Sequence, residues 1–118
     1  MLSDREISNI ANELLAEYGL ESWAFSILDE HPSIEGVAGF TYFDTNRVEI
    51  YRELWPTCDT NKIEVVRHEI AHAITGHGNH DSEWWEILMR VGGTGAWLDE
   101  NGQPEPWSWT VAKLQQMA

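Results

Sequence analysis

His68 and His72 stand four residues apart in the run His68-Glu69-Ile70-Ala71-His72. On a helix that spacing stacks two side chains on one face, with Cβ atoms about 5–6 Å apart. Two imidazoles so placed can share one tetrahedral zinc, whose Zn–N bonds are about 2.0–2.1 Å. Glu69 lies beside the pair, positioned to take a proton from a water activated by the ion. This is the HExxH arrangement, and the chemistry it supports is metal-assisted hydrolysis.

A hydrolytic zinc site takes three protein ligands and keeps a fourth position for water or substrate. The downstream candidates are His77, His80, Asp81 and Glu83. The longer pattern, with Gly three residues after the second His and another His three further on, is not met, since Thr75 and Gly78 occupy those positions. His80 is the better choice. The stretch Gly76-His77-Gly78-Asn79 can reverse the chain after the helix, because Gly tolerates the backbone angles of a reversal. Asp81 or Ser82 then caps a second helix, Glu83–Val91, with Trp84, Ile87, Leu88 and Val91 as its buried stripe. That places His80 near the end of the first helix. Three imidazoles plus water suit iron, cobalt and nickel as well as zinc; the motif points to Zn2+.

The run 68–72 followed by His80-Asp81-Ser82-Glu83-Trp84 resembles the SprT-like metallopeptidase domain, the family that includes the Spartan proteases. That family carries HExxH, a short Gly-containing loop, then a third His with an aromatic residue four positions later, which His80 and Trp84 match. The upstream order is similar too: an amphipathic helix, a few strands, then the strand Arg47-Val48-Glu49-Ile50-Tyr51 before the motif helix. The resemblance spans roughly Ile7 to Val91. It implies a zincin-like fold, zinc held by His68, His72 and His80, and peptide hydrolysis with Glu69 as base. Spartan-type members act on proteins attached to DNA. The cysteine-rich zinc ribbon of longer relatives has no counterpart among these residues.

The elements that must position these residues are readable from periodicity. Asn61–Thr75 is expected as the motif helix: Ile63, Val66, Ile70, Ala73 and Ile74 recur at helical spacing, Asp59, Thr60 and Asn61 offer N-caps, and Gly76 and Gly78 stop it. Ser3-Asp4-Arg5-Glu6 is a capping box opening a first helix. Its stripe is Ile7, Ile10, Ala11, Leu14, Leu15 and Tyr18, and Gly19 ends it. Trp23–Asp29 alternates like a strand. Val37–Phe43 and Arg47–Tyr51 are expected to pair as a hairpin across Asp44-Thr45-Asn46. The fold class is therefore α+β: one domain over 1–118, with a small, mostly antiparallel sheet packed on the motif helix and flanked by N- and C-terminal helices. Its core is expected over about 4–91, and 92–118 form a C-terminal extension.

In that extension Gly92-Gly93-Thr94-Gly95 and Pro104-Glu105-Pro106 read as breaks. Ala96-Trp97-Leu98 reads as a short strand, Asp99-Glu100-Asn101-Gly102 as a turn, and Trp107–Met117 as a last helix. Of the seven tryptophans, Trp23, Trp84 and Trp85 sit at periodic positions and are expected in the core, while Trp97, Trp107 and Trp109 are more open. At 118 residues the chain can bury about two-thirds of its unfolded surface, enough for one core without staples.

Seven basic and twenty acidic side chains give a formal charge of −13. Affinity for phosphate comes mainly from Lys and Arg, so this balance argues against direct nucleic-acid binding, and a basic module would have to come from a partner. The single cysteine, Cys58, excludes an internal disulfide and points to a reducing compartment. His31, in Glu30-His31-Pro32, reads as a loop residue rather than a ligand. The first residues open a polar helix, not a signal peptide, and no stretch reaches the roughly 20 apolar residues of a membrane span. The expectation is a soluble, cytoplasmic protein.

The mechanism these residues suggest is zinc-assisted hydrolysis of protein or peptide substrates, with Glu69 as general base and then proton donor to the leaving amine. Tyr42, Tyr51, His77 and Arg90 are candidates to stabilise the oxyanion. A strand before the motif helix offers an edge for an extended substrate. Two other classes fit the composition: a catalytically silent, zinc-stabilised interaction module, and an acidic decoy for a basic nucleic-acid-binding partner.

Overall fold

A computed structural model describes residues 1–35, 37–52, 59–93, 101 and 103. The element order is α1 (Asp4–Glu17), β1 (Ala24–Leu28), β2 (Gly39–Tyr42), β3 (Arg47–Tyr51), α2 (Asp59–Thr75) and α3 (Ser82–Arg90). This is an α+β fold, three helices around a three-stranded sheet among the described residues. Cys58, the expected strand at 96–98, the expected last helix at 107–117, and Trp97, Trp107 and Trp109 lie outside the described residues.

Local chemistry sets the boundaries. Ser3 caps α1 and accepts from the Glu6 amide at 3.1 Å, while the Glu6 side chain accepts from the Ser3 amide at 3.0 Å, a complete capping box. Helices α1 and α3 both end in Schellman motifs. In the first, the Gly19 and Leu20 amides donate back to Ala16 and Leu15; in the second, those of Gly92 and Gly93 donate to Met89 and Leu88. The Gly92-Gly93 pair is thus a tight helix cap, not the flexible break its composition suggests.

The hairpin forms as expected. Thr41 pairs with Val48 and Tyr42 with Arg47, and Asn46 takes the left-handed turn conformation (φ 53°) that Asn tolerates. The sheet order is β1-β3-β2, with β2 antiparallel and β1 parallel to the central β3. The sheet is therefore mixed. A hairpin presents two edges, and β1 takes the β3 edge, a choice that alternation within each strand does not encode.

Side chains alternate across the sheet. Gly39, Thr41, Val48 and Ile50 fall on one face; Ile50 joins the core, and Thr41 reaches α2. Phe40, Tyr42, Arg47, Glu49 and Tyr51 fall on the other, where His31 packs against Phe40, Tyr42 and Tyr51. The main core joins Ile7, Ala11 and Leu15 of α1 to Ile50 of β3 and Ile63, Val65, Val66 and Ile70 of α2. A second cluster of Ala71, Trp84 and Leu88 fastens α3 to α2. Clasped between these layers, α2 is buried around most of its circumference, and its buried residues include Asn61, Glu64, His68, Glu69 and His72. No described helix is long and apolar enough to cross a membrane.

Candidate metal centre

His68 and His72 leave the same face of α2, and both are fully buried. Gly76 then ends the helix at φ 78°, its amide donating to the His72 carbonyl at 2.8 Å. The reversal brings the His77 carbonyl 3.0 Å from His72 Nδ1. A carbonyl only accepts, so Nδ1 carries the proton and the His72 lone pair is fixed on Nε2. Four residues on, Asp81 caps α3 by accepting from the Trp84 amide at 3.0 Å. His80, just before that cap, is thereby held over the α2 histidines.

The three Nε2 atoms form a nearly equilateral triangle: 3.2 Å between His68 and His72, 3.1 Å between His72 and His80, and 3.2 Å between His80 and His68. Two Zn–N bonds of about 2.0–2.1 Å meeting at a tetrahedral angle separate their nitrogens by roughly 3.3–3.4 Å. The donor set fits one small divalent ion bound by three imidazoles. Among the described residues these three histidines are the one group of metal-ligating side chains so disposed. His77 lies apart, its ring 3.6 Å from Asp81 and 3.8 Å from Glu83.

Trp84 forms the wall of this site. Its ring centroid lies 4.8, 5.5 and 4.7 Å from those of His68, His72 and His80, and its indole N–H donates to the His68 carbonyl at 3.3 Å. In so apolar a setting charged imidazoles are disfavoured. Burial, with the neighbouring His80 as a lesser cause, lowers the His72 pKa to about 4, and burial lowers that of His80. Both rings are therefore neutral at pH 7, the form that binds a metal.

Glu69 is fully buried against β2. Thr41 Oγ1 lies 2.8 Å from Glu69 Oε1 and 2.9 Å from the Glu69 carbonyl. Oε2 is buried with no hydrogen-bond partner among the described residues. Burial raises the Glu69 pKa to about 8, and the Thr41 hydrogen bond opposes that rise. Gly39, two residues before Thr41 on the same face, makes the room: a Cβ there would stand 2.9 Å from Glu69 Cγ and 3.0 Å from Oε2. Thr41 and Gly39 escaped the sequence reading. Their signal was small residues at alternate positions of a strand whose other positions, Phe40 and Tyr42, are large aromatics.

Each of the four candidate oxyanion donors is engaged by another side chain. Tyr42 and Tyr51 face the opposite side of the sheet from Thr41, where Tyr42 meets His31 Nε2 at 2.5 Å and Tyr51 donates to Glu49 at 2.8 Å. Arg90 donates to Glu86 at 2.6 Å, and His77 turns toward Asp81 and Glu83. His31 is indeed a loop residue, its Nδ1 accepting from the amides of Ser33 and Ile34 at 3.0 and 2.8 Å.

Fold and site together define an α+β chain with a three-histidine cluster suited to a metal ion. Among solved structures, the chain is similar in fold to the metallopeptidase zymogen jannalysin of Methanocaldococcus jannaschii, with a TM-score of 0.58 and 17% sequence identity over 81% of this chain and 85% of that one. No protein-family profile matches the sequence, and no curated protein does.

Proposed function

We propose that this protein is a zinc-dependent metallopeptidase of the SprT-like kind, hydrolysing peptide bonds with Glu69 as general base. The observation that carries the reading is the convergence of three imidazole Nε2 atoms within 3.2 Å of one another, next in sequence to a buried carboxyl with one oxygen unpartnered among the described residues. The fold likeness to a metallopeptidase supports it. His68, His72 and His80 would hold the ion, which when bound supplies a Lewis acid that polarises a carbonyl and acidifies water.

The chain's own groups do the rest. With a cation bound beside it the Glu69 carboxyl would be held ionised, and it would take a proton from water and return it to the departing amine. Trp84 keeps bulk water from the histidine rings. With β3 central, β1 and β2 are the edge strands, and β2, whose Thr41 touches Glu69, is the one whose outer edge can receive an extended peptide beside the site. The substrates on this reading are peptides or proteins in the cytoplasm, engaged without direct nucleic-acid binding, since a chain of charge −13 repels phosphate.

The test is zinc content by elemental analysis, together with turnover of a mixed peptide library, for wild type, His80→Ala and Glu69→Gln. The expected result is about one zinc per chain in wild type and Glu69→Gln, loss of zinc in His80→Ala, and a fall in turnover of about 100-fold or more in Glu69→Gln. Zinc binding with turnover indifferent to Glu69→Gln would leave a silent zinc module instead.

A further inference from the structure

The geometry points to Thr41 as a positioning residue for Glu69, working with the gap left by Gly39 as a socket that fixes the orientation of the Glu69 carboxyl. This rests on the peptidase reading with Glu69 as base. A glutamate has three rotatable side-chain bonds, and a general base must sit within hydrogen-bond reach of the proton it takes. The socket removes that freedom. Thr41 Oγ1 engages Oε1 at 2.8 Å and the backbone carbonyl of the same residue at 2.9 Å, so one hydroxyl ties the head of the side chain to its root. Oε2 has no hydrogen-bond partner among the described residues and is buried beside the space above Gly39. The cross-strand neighbours of the two positions are Val48 for Thr41 and Ile50 for Gly39, neither with a side-chain polar group to compete for the hydroxyl.

Three variants test this on the zinc-loaded full chain: Thr41→Val, Thr41→Ser and Gly39→Ala. Valine keeps the shape and removes the hydroxyl; serine keeps the hydroxyl. Alanine at 39 displaces Glu69 and leaves the Thr41 hydroxyl in place. Displacing a catalytic group by about 1 Å can cost 100-fold in rate. Thr41→Val and Gly39→Ala should each lower kcat by about 10- to 100-fold, with KM within about twofold of wild type and zinc still bound, and Thr41→Ser should recover most of kcat. Crystal structures should show one Glu69 carboxyl orientation in wild type and Thr41→Ser, and another or several in the other two. Wild-type kcat in Thr41→Val, or Thr41→Ser impaired as badly as Thr41→Val, overturns the proposal. An inactive wild type would count against the peptidase reading itself. The Glu69 orientation then decides the positioning role alone: altered in Thr41→Val it stands, unaltered it falls.

Discussion

Three imidazole nitrogens within 3.2 Å of one another repel if charged, and burial keeps the His72 and His80 rings neutral. Trp84 packs against all three rings and is itself fully buried. Trp84→Ala should lower the stability of the metal-free protein by about 3–5 kcal/mol, read by urea denaturation. Trp84→Phe should cost less, since it keeps an aromatic ring in the wall and loses part of the indole with its N–H bond to the His68 carbonyl. At this scale the sequence was most legible where the chemistry is local. Helical spacing placed His68, Glu69 and His72, and a glycine-containing loop brought back His80. Thr41 was not legible, because it reaches Glu69 across 28 residues through a strand pairing that no local pattern states.

Between the histidines and the fold stand the helix ends. Gly76 sits at φ 78° with open space where a Cβ would lie, so alanine there meets no clash and only the backbone penalty of the left-handed conformation. That penalty is about 1–2 kcal/mol. Gly76→Ala should lower stability by that amount in urea denaturation. It should also weaken zinc retention against a chromophoric chelator, because the same turn aims the His77 carbonyl and His80. Boundaries of α1 and α3 and the end of α2 could be read from Ser3, Asp81, Gly19 and Gly76, since caps are local hydrogen-bond chemistry, whereas α2 begins at Asp59 and takes the expected cap residues 59–61 into the helix. The place of β1 could not be read. Its alternating Phe25 and Ile27 suit either edge of the hairpin, and only packing against α1 and α2 selects the parallel pairing with β3.

For the molecule as a whole, the buried titratable groups set opposite slopes on stability against pH. Folded Glu69 keeps its proton to about pH 8, whereas unfolded it ionises near 4.5, so its contribution declines as pH rises between those values. His72 runs the other way: neutral in the fold down to about pH 4 and protonated below 6.5 when unfolded, it withdraws stability as pH falls through that window. His80 acts in the same direction. Metal-free wild type should therefore show its highest thermal midpoint near pH 6.5, and Glu69→Gln should lose the decline between about pH 6.5 and 8. A wild-type decline that persists unchanged in Glu69→Gln would remove the carboxyl as its source. The bond from His72 Nδ1 to the His77 carbonyl has a kinetic consequence as well. It ties the orientation of His72 to the short loop that carries His80, so the loop cannot swing out without also freeing the His72 ring. An ion held there would leave by a single concerted unclasping, and its residence time would follow how often residues 76–80 open.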